Sequence, residues 1–277
     1  MRELNHPIFE PSISYAAPSD PVWKRAIIRC IEQFTGQPEM ERKYKSIRIQ
    51  DTFAPEFFWR DALHMLNITL DYDACCIKNI PKTGPLVIIA NHPFGVLDGL
   101  SICHLATLIR PNFQILTNSV LCQDPALAPY LLPVDFDETR EAMRTNIETK
   151  NRAIKTMEAD GAVVIFPGGG ISTAEGWRGQ ITDLEWKRFA AKLIQISKAT
   201  VVPLFFHGQN SRLFHIVSQF SLTLRLSLLL WEAKRRANTS IKVTIGAPLP
   251  YPSIAHLKDR QRMLDFLRAH VYGLAET

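Results

Sequence analysis

Short apolar runs alternate with amphipathic stretches from residue 85 to the C-terminus. Residues 86–90, 113–116, 162–166, 201–206 and 241–245 are rich in branched side chains and bounded by turn residues, as expected of buried strands. Helical spacing of apolar positions fills the intervals at residues 97–110, 140–159, 183–197 and 253–272. This alternation predicts an α/β layered domain, a largely parallel sheet flanked by helices. Ligands collect at the carboxyl ends of strands in such sheets, so the segments just after residues 90, 166 and 206 draw the attention.

The first 80 residues read differently. Residues 22–34 and 56–70 both carry apolar positions at helical spacing, which predicts an N-terminal helical extension over residues 1–80 ahead of the α/β domain at 81–277. Phe57-Phe58-Trp59 heads the second stretch with Arg60 and Asp61 beside it. It reads both as a helix packing on the main domain and as an element of a lipid interface, where aromatic rings are favoured. Residues 220–231 are apolar but short, and they include Arg225 and three hydroxyl side chains. They read as a core or interfacial segment. No window approaches the roughly 18 uninterrupted apolar residues of a membrane span, so any membrane contact is expected to be peripheral.

Composition narrows the field. With 277 residues and 46% apolar content the chain can bury a substantial core. A net charge of +5 is a modest signal for anionic partners, carried by clusters at Lys24, Arg25 and Arg29, at Arg42, Lys43, Lys45 and Arg48, and at Lys234 to Arg236. Any one of these also reads as a solvated face. No nucleic-acid module accompanies them. The five cysteines Cys30, Cys75, Cys76, Cys103 and Cys122 form no C-x-x-C pair, and no signal peptide precedes them. Reduced thiols, no metal site and a cytoplasmic location follow as expectations.

The segment Asn91-His92-Pro93-Phe94-Gly95-Val96-Leu97-Asp98-Gly99 brings a histidine and a carboxylate out of an apolar strand. If the whole interval were helical, the six steps from His92 to Asp98 would set them about 240° apart. A turn at Pro93-Phe94-Gly95 is therefore required for them to meet. A carboxylate on one imidazole nitrogen fixes the tautomer and leaves the other free to take a proton from an alcohol. Asp98 is equally well placed to cap a helix, and His92 to be a hydrogen-bonded structural residue. A second loop, Phe166-Pro167-Gly168-Gly169-Gly170-Ile171-Ser172, lets the backbone approach a ligand and turn N–H groups toward an oxyanion, though it is neither a phosphate loop nor a nucleophile elbow. Pro203, within the fourth of the apolar runs, suggests an edge or bend near a site, with His207 and Arg212 beyond it. Arg140 and Arg144, at i, i+4 spacing, read as a phosphate grip or as a solvated helix start.

The order of these pieces resembles the glycerol-phosphate and lysophospholipid acyltransferase superfamily, over roughly residues 80–250. His92 and Asp98 are separated by five residues where the family usually has four, as in a divergent branch resembling the haemolysin-like acyltransferases. Gly168 stands where the family's third block, Phe-Pro-Glu-Gly-Thr, has its glutamate. That removes a contact associated in the family with a glycerol-phosphate acceptor, for which Glu175 and Arg178 are the nearby polar replacements. The resemblance implies acyl transfer from a thioester, acyl-CoA or acyl carrier protein, to a hydroxyl of a lysophospholipid-like or other lipid acceptor. No metal or further cofactor is implied. His92 is then the general base and Asp98 its orienting acid. Asn91, Phe94, Gly95, Arg140, Phe166, Pro167, Gly168, Gly169, Gly170 and Ser172 line the substrates. A peripheral position on the inner face of the membrane is expected with this activity. Two other readings use the same residues: a thioester or lipid hydrolase with water as acceptor, and a lipid-binding protein without turnover.

Overall fold

The computed structural model describes residues 22, 37–48, 54–118, 124–135, 139–174, 179–220 and 222–276. The expected helix at residues 22–34 therefore lies outside the described residues except for Val22, and so do Cys30, Cys122, Glu175 and Arg178. The strands are β1 (Thr69–Asp71), β2 (Leu86–Ala90), β3 (Phe113–Asn118), β4 (Leu131–Val134), β5 (Ala162–Ile165), β6 (Thr173–Ala174), β7 (Ile181–Thr182), β8 (Thr200–Phe206) and β9 (Ser240–Ile245). Seven of them form one sheet in the order β1-β9-β8-β2-β5-β3-β4, while β6 and β7 pair as a small antiparallel ribbon. From β8 to β4 all pairings are parallel. The sheet reverses once, between β8 and β9, and β1 then runs parallel to β9.

The pleat of β2 explains why both faces are covered. Leu86, Ile88 and Ala90 enter one core layer, while Val87 and Ile89 enter the other. The first layer is closed by α1 (Gln37–Arg48), α2 (Phe58–Met65) and α4 (Val96–Ile109), which contribute Ile47, Leu63 and Ile102. The second is closed by α5 (Arg140–Glu158), α6 (Arg188–Ser197) and α10 (Arg260–Gly273), with Ala153, Ile194 and Leu267. Residues 37–48 and 54–80, the latter including α3 (Ala74–Lys78), thus share the main core, and through β1 they also add a strand to its sheet.

Several expectations shift in detail. Phe58 and Trp59 are buried, edge-on to one another at 5.1 Å, and Trp59 packs on Phe113 and Tyr130. Of the aromatic triplet only Phe57 is exposed, with Arg60 over its ring. The basic stretch on α1 is partly neutralised by Lys43–Glu39 and Lys45–Glu41, and Lys234 also reaches Glu39. Pro203 lies in an inner strand rather than at an edge. Its carbonyl accepts from Gly246 N–H just past Ile245, so its missing N–H faces the point where the β9 ladder has ended. The stretch at 253–272 is two helices, α9 (Tyr251–Ile254) and α10, the latter capped by Asp259 through Arg262 N–H. The apolar run at residues 220–231 begins at the last residue of α7 (Arg212–Phe220) and continues in α8 (Leu222–Arg235).

Candidate active site

The carboxyl ends of β2, β5 and β8 are adjacent in the sheet, and their following loops converge. Asn91 closes the end of β2 onto β8: its Nδ2 donates to the Phe206 carbonyl at 2.9 Å and its Oδ1 accepts from Phe206 N–H at 2.7 Å. Both polar ends of this buried amide are thereby committed to backbone. His92 follows, and the chain turns sharply at Gly95, whose φ of 81° favours glycine. A Cβ at that position would meet Ile171 Cδ1 at 2.8 Å and Leu229 Cδ2 at 3.0 Å.

The turn brings the predicted pair together. His92 Nδ1 lies 3.0 Å from Asp98 Oδ2, a close but oblique approach short of an aligned hydrogen bond. The same oxygen accepts from the N–H groups of Phe94 at 2.7 Å and Gly95 at 2.9 Å. Asp98 therefore both braces the start of α4 and faces the histidine, so the two roles open to it in the sequence coincide. Burial raises the Asp98 pKa, against the lowering effects of His92 and the two N–H groups. The His92 ring stacks on Phe166 at 3.9 Å and keeps 17% of its side-chain surface exposed, whereas Asp98 has none.

The loop after β5 packs beside this pair. Gly169 has a φ of 66° and donates its N–H to Phe166 O, while Pro167 O accepts from Lys187 N–H. Gly168 is buried against the backbone of Leu184: a Cβ there would lie 3.3 Å from its carbonyl oxygen. Ser172 N–H donates to His92 O at 2.8 Å. Phe94 is buried, with the Arg236 guanidinium 4.0 Å over its ring, and burial lowers the Arg236 pKa. Arg225 Nη2 donates to Ile171 O at 2.5 Å.

Arg140 is joined to this cluster by no described contact. It is exposed at the start of α5, beyond the end of β4, and β4 lies three strands from β2, or about 14 Å at ordinary strand spacing. Arg144 pairs with Glu148 instead. His207 faces β9, with Nε2 2.8 Å from Thr244 Oγ1, and Arg212 is exposed.

Asp183 was not singled out in the sequence. It lies in the extended segment ahead of α6, where helical spacing had suggested an earlier helix start. Its Oδ1 accepts from His92 N–H at 3.0 Å and from Ser172 Oγ at 2.6 Å, and its Oδ2 from Trp186 Nε1 at 3.0 Å. The only visible cue was an acidic residue immediately before an apolar stretch, which many surface loops share.

A strand-end histidine facing a buried carboxylate, beside a glycine loop on a mostly parallel sheet, is an arrangement suited to general-base catalysis. A family model described as Acyltransferase matches residues 43–276, and the chain belongs to that family. Two curated proteins are similar to it, the lyso-glycine lipid O-acyltransferases of Phocaeicola vulgatus and Bacteroides thetaiotaomicron. Each is 29% identical over 210 residues, covering 72% of this chain and 71% and 73% of theirs. The crystal structure of the 1-acyl-sn-glycerophosphate acyltransferase PlsC from Thermotoga maritima superposes with a TM-score of 0.50 and 16% identity. It covers 92% of this chain and 90% of its own, which shows a shared fold.

Proposed function

We propose that the protein transfers a fatty acyl group from a thioester, acyl-CoA or acyl carrier protein, to a hydroxyl of a lyso-lipid bearing an amino-acid head group. The observation that carries this reading is the 3.0 Å approach of His92 to the buried Asp98. With Nδ1 directed at Asp98, the His92 Nε2 takes the acceptor's hydroxyl proton as the oxygen attacks the thioester carbonyl. The tetrahedral oxyanion then collapses, breaking the carbon–sulfur bond. The departing thiolate recovers the proton from the imidazolium, leaving an ester and a free thiol.

Donors for the oxyanion are not those of Phe94 and Gly95, which Asp98 already holds, nor that of Gly169. The first-turn N–H groups of Val96 and Leu97, which have no partner within their helix, take this part. The absence of a glutamate at Gly168 and the names of the two relatives support an acceptor other than a glycerol phosphate.

Contact with the lipid is assigned to α7. Leu213 and Ile216 stand one turn apart, 50% and 38% exposed, beside the exposed Arg212 on a helix that starts just past β8. Apolar side chains with a neighbouring cation suit an anionic membrane interface, peripherally and from its cytoplasmic face. No described helix is long and apolar enough to cross a membrane.

The test incubates purified protein with acyl-CoA or acyl carrier protein and with lyso-glycine lipid or lysophosphatidate, and identifies products by mass spectrometry. A diacylated amino-acid lipid, lost in a folded His92→Ala variant, is expected. Free fatty acid without new ester would establish hydrolysis instead, and lipid binding without turnover would establish a binding protein.

A further inference from the structure

We propose that Asp183 is a positioning residue for the general base, acting through the peptide of His92 and not through its ring. The proposal rests on the acyl-transfer reading of His92 given above.

The connection is a closed circuit. His92 N–H donates to Asp183 Oδ1, Ser172 N–H donates to His92 O, and the Ser172 hydroxyl returns to the same Asp183 oxygen. Both sides of the His92 residue are therefore held, and each bond limits movement in the other two. Asp183 is itself anchored from outside the circuit. Its N–H donates to the Tyr272 hydroxyl at 2.8 Å, and its carbonyl accepts from Arg268 Nη2 at 3.1 Å. Both residues belong to α10, so the C-terminal helix sets the place of the base through one side chain.

The choice of a carboxylate follows from its neighbours. His92 N–H, Ser172 O–H and Trp186 Nε1–H are all donors, and an ionised carboxylate offers acceptors alone. An asparagine would turn an NH₂ group toward one of them. If its oxygen stays with His92 and Ser172, the amide confronts the Trp186 indole N–H. A buried acid is a costly way to fasten a loop, and a neutral side chain would suffice where position mattered little. A base must meet its proton within hydrogen-bond reach, and a misplacement near 1 Å costs on the order of 10²-fold in rate.

The full chain is assayed as the parent and as Asp183→Ala, Asp183→Asn, Trp186→Phe and the double variant Asp183→Asn/Trp186→Phe, with fold checked by circular dichroism. Asp183→Ala is expected to lower kcat by about 10²-fold while leaving KM for both substrates within about twofold. Amide exchange at His92 accelerates in the same variant, a readout of the contact that does not depend on turnover. Trp186→Phe alone keeps most of kcat. The double variant recovers at least about tenfold in kcat over Asp183→Asn, because the indole donor no longer opposes the amide.

The proposal is overturned if folded Asp183→Ala keeps kcat within about twofold of the parent, or if its loss lies wholly in KM. It is equally overturned if the double variant is no better than Asp183→Asn, a comparison that decides alone should Asp183→Ala fail to fold. A parent that transfers no acyl group overturns the assigned reaction and this role with it, whereas an active parent indifferent to Asp183 overturns this role alone.

Discussion

The Asp98 carboxylate meets His92 with the same oxygen that receives the N–H groups of Phe94 and Gly95, so one atom organises both the turn and the dyad. Asp98→Asn separates these duties. The amide oxygen still accepts the two N–H groups, but the negative charge facing the imidazole is gone. Transfer is expected to fall by about 10²- to 10⁴-fold. Stability moves the other way. Because burial raises the folded-state pKa of Asp98, its favourable contribution is complete below the unfolded carboxylate pKa and is lost as pH rises through the folded one. At pH 7 the neutral variant should therefore unfold at the same temperature as the parent or higher, by thermal denaturation. A large drop in melting temperature would count against this account.

Gly168→Glu restores the residue that the wider superfamily carries, yet it should not restore a glycerol-phosphate acceptor. A Cβ at this position lies 3.3 Å from Leu184 O and 3.4 Å from Asp183 Cβ, so a longer side chain displaces the segment that holds His92. We expect at least about tenfold slower transfer to the native acceptor and no gain with lysophosphatidate. Competition between the two acceptors in one reaction, read by mass spectrometry, measures both effects.

Leu213→Glu/Ile216→Glu should weaken binding to anionic liposomes by at least about tenfold, since seating each partly exposed side chain in lipid is worth on the order of 1 kcal/mol. Phe57→Ser, at the exposed tip of the aromatic triplet, should leave binding unchanged. Flotation at low and high salt distinguishes the apolar part of the attraction from the contribution of Arg212. If the double variant floats like the parent, α7 is not the contact.

Acid should destabilise the fold through its histidines. Burial lowers the pKa of His215 first of all, with Arg225 acting in the same sense and Glu232 and the Asn210 backbone opposing. His104 and His207 shift in the same direction, also mainly by burial. Below about pH 6.5 the unfolded chain binds protons that the folded chain refuses, so stability falls as pH drops from there toward the depressed folded values. His215→Gln should flatten this dependence in melting curves between pH 7.5 and 5. An unchanged slope would show that the acid sensitivity arises elsewhere.

The parallel core was legible because each buried strand is a continuous apolar run: residues 86–90 coincide with β2, and 162–166 with β5 to within a residue. β4 escaped notice because Leu131–Val134 contains Pro133 at the sheet edge, where a proline costs no ladder bond. β1 escaped because its three residues lie in a region of helical pattern and find their partner about 170 residues later. At the site, His92 and Asp98 were visible because a local turn joins them. Asp183 was not, since its link to His92 spans 91 residues and depends on how the loops after two neighbouring strands meet. The direction of each ring in the aromatic triplet was not legible, because composition reports ring content and not direction. Phe58 and Trp59 turn inward, leaving Phe57 outside.

The Asn91 clamp has a mechanical corollary. Parting β2 from β8 at their carboxyl ends would break two buried amide–backbone bonds at once, so the strand floor of the site acts as a fixed jaw. Whatever gives way to admit a long acyl chain must be the opposing, helical side. There, among the described residues, α7 and α8 meet the catalytic turn and the glycine loop through side-chain packing of Phe214, Leu229, Ala233 and Ile171, with the Arg225 link to Ile171 O. In the proposed reaction the lipid would then enter laterally, from the side of α7 and α8.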